Sequence, residues 1–156
     1  HTNFEDKKMA YALDVFSAIL GGGMSSKLFT EVREKRGLVY TVHSYNITGK
    51  NYGYFIIYSG TDKSKVEEVE KICMQEYKKM KDITKKKLES AKVQVIGNFD
   101  VKSEDSEEVA VHLILEETKE KAEDYYNYAK NINDVNLKDI KKLASNIEFS
   151  RAILGP

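Results

Sequence analysis

The sequence predicts an α+β fold in two layers, with helices packed on an antiparallel sheet. Three observations carry this. Apolar residues recur at helical spacing on both sides of one region, Leu38–Ser59, that is rich instead in valine, isoleucine and tyrosine. The only proline is Pro156, so no ring interrupts a long helix. Seven of the nine glycines fall between Gly21 and Gly60, which gathers the backbone irregularity into one third of the chain. Elements in the order helix, helix, strand, strand, helices, strand belong to segregated α+β architectures and not to alternating βαβ ones.

The first helix is expected over about Glu5–Leu20, because Met9, Leu13, Phe16 and Leu20 share a stripe that Tyr11, Val15 and Ile19 broaden. Gly21-Gly22-Gly23 ends it. Ser25 or Ser26 then caps a second helix with Leu28, Phe29 and Val32 on one side, Lys35 and Arg36 in its last turn, and Gly37 as its stop. Leu38–Tyr45 and Tyr52–Ser59 form a hairpin around a turn at Asn46–Asn51. In its second strand Tyr52, Tyr54, Ile56 and Tyr58 share one face while Phe55 and Ile57 share the other. Neither face is polar, so helices should cover one side and something should partly enclose the other. Beyond Thr61 the periodicity is helical: Val66, Val69, Cys73, Tyr77 and Met80 follow a Ser64/Glu67 capping box. Leu88, Ala91, Val95 and Phe99 follow a Thr84 cap. Helices are also expected over Glu104–Glu117, over Ala122–Lys130 and after an Asn136 cap, and Glu148–Leu154 is expected to be a final strand.

A chain of 156 residues makes one domain, here residues 1–156. Lys+Arg and Asp+Glu are both 25, which removes the simplest case for nucleic acid. No apolar run approaches the ~18 residues that span a bilayer, so no membrane partner is expected. One cysteine, Cys73, excludes an internal disulfide and fits a reducing, cytoplasmic compartment. A chain that opens on His1 is expected to be a piece of something longer.

The chemistry starts from what is missing. Zinc needs three or four converging ligands, and His1, His43 and His112 stand isolated. Cys73 lies on an apolar helix stripe, where an inert buried thiol is expected. Gly21-Gly22-Gly23-Met24-Ser25-Ser26-Lys27 departs from a phosphate loop, because a helix precedes it and Lys27 follows Ser26. A sharper constellation is Glu31-Val-Arg-Glu-Lys-Arg-Gly-Leu-Val-Tyr40. Arg33 and Tyr40 come from adjoining element ends and can converge, and a guanidinium beside a phenol can donate to a carbonyl or oxyanion. Equally, the run is a charged helix end, a glycine stop and the start of a strand.

The run Ala18-Ile-Leu-Gly-Gly-Gly-Met-Ser-Ser-Lys-Leu-Phe29, continued by Glu31 to Tyr40, closely resembles the pitrilysin/insulinase/mitochondrial-processing-peptidase family of zinc metallopeptidases, in their carboxyl-terminal, non-zinc domain. Gly53-Tyr54, Leu88-Glu-Ser-Ala-Lys92, Asn136-Leu-Lys-Asp-Ile140 and Gly155-Pro156 extend the likeness over roughly residues 7 to 156. The resemblance implies a processing-peptidase-like metallohydrolase domain whose first strand is truncated here, leaving an exposed edge open to association. It implies two such domains, or sister subunits, closing around an unfolded peptide. Zinc would sit in the partner, on a His-x-x-Glu-His motif that this chain lacks. Arg33 and Tyr40 fall on the family's arginine and tyrosine, which reach across the cavity to assist catalysis. Gly21, Gly22 and Gly23 match a loop linked to substrate handling. The expectation is a domain inert alone, part of a zinc endopeptidase; a structural core subunit of the same fold is the alternative.

Overall fold

The computed structural model describes residues 7–49, 52–145 and 148–155. Helix α1 (Lys7–Gly21) is the strut of the core: Ala12, Val15, Phe16, Ile19 and Leu20 are all but inaccessible. One side of α1 lies under an antiparallel hairpin, β1 (Val39–Gly49) and β2 (Tyr52–Thr61). Its other side meets α3 (Lys85–Lys102), α5 (Tyr128–Asn133) and α6 (Leu137–Ser145). Between them in the chain run α2 (Val66–Lys78) and α4 (Ser106–Lys119), with 3₁₀ turns at Lys63–Lys65, Lys79–Asp82 and Ala122–Asn127. The result is helices layered on an antiparallel sheet, as the residue pattern requires.

Aromatic rings tie the layers together. Phe16 of α1 meets Phe55 of β2 edge-to-face at 5.3 Å, and Tyr77 of α2 closes the trio at 5.2 Å from Phe16. The Tyr77 hydroxyl also donates to the Leu143 carbonyl of α6 at 2.9 Å. Lower in the core, Asp14 accepts from Asn46 Nδ2 at 2.8 Å and from the Tyr128 hydroxyl at 2.9 Å, joining α1, β1 and α5 through one carboxylate. Burial pushes the Asp14 carboxyl above its ordinary range, against the pull of those two hydrogen bonds.

Several expectations need correction. The second helix has only a short α start, and Phe29–Glu34 wind as a π-helical turn, its bonds reaching five residues back (Lys35 N–H to the Thr30 carbonyl). The hairpin turn does not begin at Asn46: pairing continues through Asn46–Phe55 and Thr48–Gly53 to Gly49–Tyr52, because cross-strand partners outweigh turn propensity, and residues 50 and 51 lie outside those described. The Ser64/Glu67 box does not form. Ser64 lies inside the 3₁₀ turn that leaves Asp62, so its hydroxyl cannot face the amides of α2. Ala122–Lys130 divides into a 3₁₀ turn and the start of α5. Glu148–Leu154 is exposed and pairs with nothing among the described residues; a strand exists only through its neighbour's amides, and this segment is tied instead by the Arg151–Glu70 ion pair at 2.7 Å. Glu5 and Asp6, at the start of the expected first helix, lie outside the described residues.

Candidate functional site

The glycine segment is built from its two ends. At the first, α1 comes down flush on β1: the Ser17 hydroxyl donates to the Ser44 carbonyl at 2.8 Å, and the Ser44 hydroxyl donates back to the Ser17 carbonyl at 3.1 Å. One turn on, Gly21 is buried so close to the strand that a Cβ there would lie 2.5 Å from the Ser44 nitrogen. At the second end the loop is held from α3, where Gln94 Nε2 donates to the Gly22 carbonyl and Lys87 Nζ to the Ser25 carbonyl at 3.0 Å. Ser26, not Ser25, caps the next helical segment, accepting from the Phe29 amide at 3.4 Å. Gln94 and Lys87 were not singled out from sequence, since a partner more than 60 residues away leaves no local signal.

Arg33 belongs to the π-helical turn. That winding buries Val32 completely and turns Arg33 outward, its guanidinium 5.1 Å above the Phe29 ring. Gly37 closes the turn at φ +59°, the left-handed conformation a side chain would resist, while the Leu38 amide reaches back to the Val32 carbonyl. Three neighbouring charges engage one another: Glu31 accepts from Lys35 at 2.5 Å and from Arg36 at 2.8 Å. Arg36 first, then Lys35, hold the Glu31 carboxyl down at about 2.

Tyr40 stands on the other side of Gly37. Val39 pairs with Thr61 and Thr41 with Gly60, so Tyr40 is the extra residue of a β-bulge, and its ring is 72% exposed. Its hydroxyl donates to Asp62 Oδ1 at 3.1 Å, and Lys65 and then Tyr40 hold the Asp62 carboxyl below its usual range. Arg33 and Tyr40 therefore share an exposed end of the molecule, each with its own partner, Phe29 and Asp62. No hydrogen bond or ring contact joins the two side chains among the described residues.

The residues present do not fit zinc. His43 lies on the outer face of the hairpin between Tyr45 and Tyr58, His112 pairs loosely with Glu108 at 3.8 Å, and Cys73 is buried in the core with its thiol pushed up to about 11. Among the described residues no three ligating side chains gather where they could hold a metal ion.

Residues 2–95 match the family described as the peptidase M16 inactive domain. An uncharacterized zinc protease of Streptomyces coelicolor is 52% identical over 66 residues, 42% of this chain and 14% of that protein. One of Bacillus subtilis is 37% identical over 91 residues, 57% of this chain and 22% of that protein. One of Rickettsia bellii is 35% identical over 104 residues, 66% of this chain and 25% of that protein. The chain thus spans a quarter or less of these relatives. Among solved structures, a protease from Helicobacter pylori superposes with a TM-score of 0.78 at 26% identity, over 92% of this chain and 35% of the other. The M16 inactive domain from Pseudomonas fluorescens superposes with a TM-score of 0.76 at 23% identity, over 94% and 36%, and so agrees in fold. With more than half of its residues matched to one family and its fold shared with an inactive domain, the chain belongs to the peptidase M16 inactive-domain family.

Proposed function

We propose that this chain is the substrate-binding, catalysis-assisting domain of a zinc endopeptidase that cleaves unfolded peptides, inert alone. Zinc belongs, in this reading, to an amino-terminal domain or a sister subunit. What this chain supplies is a pair of donors, the Arg33 guanidinium and the Tyr40 hydroxyl, aimed at a peptide carbonyl whose oxygen gains charge as the bond breaks. The glycine loop Gly21–Gly23, pinned by Gln94, borders the peptide's path. One observation carries the reading: both donors sit where the backbone departs from regular winding, Arg33 in a π-helical turn and Tyr40 on a bulge. Such irregularities persist where a side chain has to be aimed. A reducing, cytoplasmic compartment suits a chain whose one cysteine is buried and unpaired.

The test is kinetic and needs the parent protein with both domains. Arg33→Ala and Tyr40→Phe should each lower kcat/KM by about 10²–10³ with zinc content and melting temperature unchanged. Near-wild-type kinetics in both variants would overturn the proposed roles. A second reading, a structural core subunit, has its own support: Arg33 already stacks on Phe29 and Tyr40 already donates to Asp62. On that reading the same changes lower the melting temperature and leave turnover alone.

A further inference from the structure

The formal charge of the chain is zero, but its charges are not evenly spread. Residues 76–87 hold six lysines against Glu76 and Asp82, and residues 27–36 hold Lys27, Arg33, Lys35 and Arg36 against Glu31 and Glu34. Those two stretches carry ten cations and four carboxylates; the rest of the chain carries fifteen and twenty-one.

The fold brings the two stretches together. Glu76, at the end of α2 and buried, accepts from Lys79 at 2.5 Å and pairs with Lys27 at 3.6 Å. Lys79 in turn lies near enough to feel the charges of Glu31 and Arg36. Lys87 reaches across to the Ser25 carbonyl, so the start of α3 borders the glycine loop. Within this surface the carboxylates Glu31 and Glu76 are consumed by their own partners, and Glu34 and Asp82 are the two that no ion pair engages among the described residues. Lys78, Lys81, Lys85 and Lys86 are exposed, and no ion pair engages them among the described residues. These four ammonium groups and Arg33, set against Glu34 and Asp82, leave a net positive local field where α2 meets the π-helical turn, strongest at low salt.

We propose that this surface, from the α2–α3 corner to the π-helical turn, binds a short acidic peptide segment. The ligand class follows from the chemistry. Four of the five unpaired cations are lysines, point charges that meet carboxylates singly, and the fifth, Arg33, lies over the Phe29 ring, so no set of arginine forks is free for a phosphate-rich ligand. A long polyanion would run on into the net-acidic remainder of the molecule and be repelled. Phe29 is covered by Arg33, and the exposed Tyr40 ring is a single platform, too little for a run of stacked bases. The site rests on charge and position and does not depend on the peptidase reading.

The experiment uses the 156-residue chain and fluorescein-labelled hexaglutamate, with hexalysine, a single-stranded oligonucleotide and phosphatidylserine vesicles as competing probes. Hexaglutamate should bind at low ionic strength, and its affinity should fall by about tenfold or more as salt shortens the Debye length from about 30 Å to about 8 Å. The triple change Lys81→Glu, Lys85→Glu, Lys86→Glu should weaken binding by about tenfold or more, while Lys102→Glu on the far end of α3 leaves it unchanged. Circular dichroism checks that both variants fold. The proposal is overturned if hexaglutamate fails to bind at low salt, if the triple variant binds as the wild type does, or if hexalysine binds equally well. Tighter binding of the oligonucleotide or of the vesicles would overturn it in favour of a phosphate ligand.

Discussion

At Gly21 a single methyl group is too much. Its Cβ would lie 2.5 Å from the Ser44 nitrogen and 2.7 Å from the Ser44 hydroxyl oxygen, and the strand beneath cannot retreat without breaking the paired serine hydrogen bonds. Gly37 is the opposite case: space is open around it, and only its φ of +59° resists a side chain. Gly21→Ala should therefore cost about 1–3 kcal/mol as overpacking, and Gly37→Ala only about 1 kcal/mol as left-handed strain. Urea melts of the two variants check the order; a larger loss at Gly37 would mean that the helix does not rest closely on the strand. Glu31 gives a pH signature. Its carboxyl is lowered from 4.5 to about 2, so its ion pairs contribute stability that is present above about pH 4.5 and lost as pH falls towards 2. Glu31→Gln, which stands in for the protonated carboxyl, should match the wild type near pH 2 and lower the neutral plateau by the same small amount that the acid limb loses, small because the pair is surface-exposed. An unchanged acid limb in the variant would sink this assignment.

Among the elements, what could be read from the sequence was what is local. The Thr84 cap forms, its hydroxyl accepting from the Lys87 amide at 3.2 Å. The Asn136 cap forms a reciprocal box, Asn136 accepting from the Lys138 amide at 2.9 Å and Asp139 from the Asn136 amide at 2.9 Å. Each needs only residues within three positions of one another. Asn46 reads as a turn residue, yet its conformation is decided by a helix 32 residues away: its amide is spent on Asp14, which keeps it in the strand. The positions of Arg33 and Tyr40 were legible, but the π-helical turn and bulge that present them were not, since an extra residue in a turn leaves no mark in the hydrophobic period. The C-terminal segment shows the converse, a strand pattern without a strand. It is exposed, without regular structure and held by the Arg151–Glu70 ion pair, so limited trypsin should cut first after Arg151. First cleavage within α2 or α3 would contradict that picture.

For the whole molecule, the hairpin is the exposed liability. The outer face of the sheet carries Tyr45, Ile47, Tyr52, Tyr54 and Tyr58, each about 40–50% exposed, and no further strand covers either edge among the described residues. Two strands alone are marginal, and a charge-poor face of this kind is expected to be covered in the parent protein. The isolated chain should therefore associate as its concentration rises, and Ile56→Lys with Tyr58→Lys should suppress this. Static light scattering at about 0.5 M salt is the measurement, because association through backbone edges and tyrosines survives screening. Scattering that stays monomeric at all concentrations would show that the face is already protected.

The uneven charge has a consequence for handling the protein as a solute. A molecule that is neutral near pH 7 yet positive at one end and acidic elsewhere is a dipole, and dipoles in dilute buffer line up head to tail. Its solubility should pass through a minimum near neutrality in pure water and rise when a little salt is added. That is the salting-in of a globulin, and it runs counter to what the tyrosine face does when salt is high.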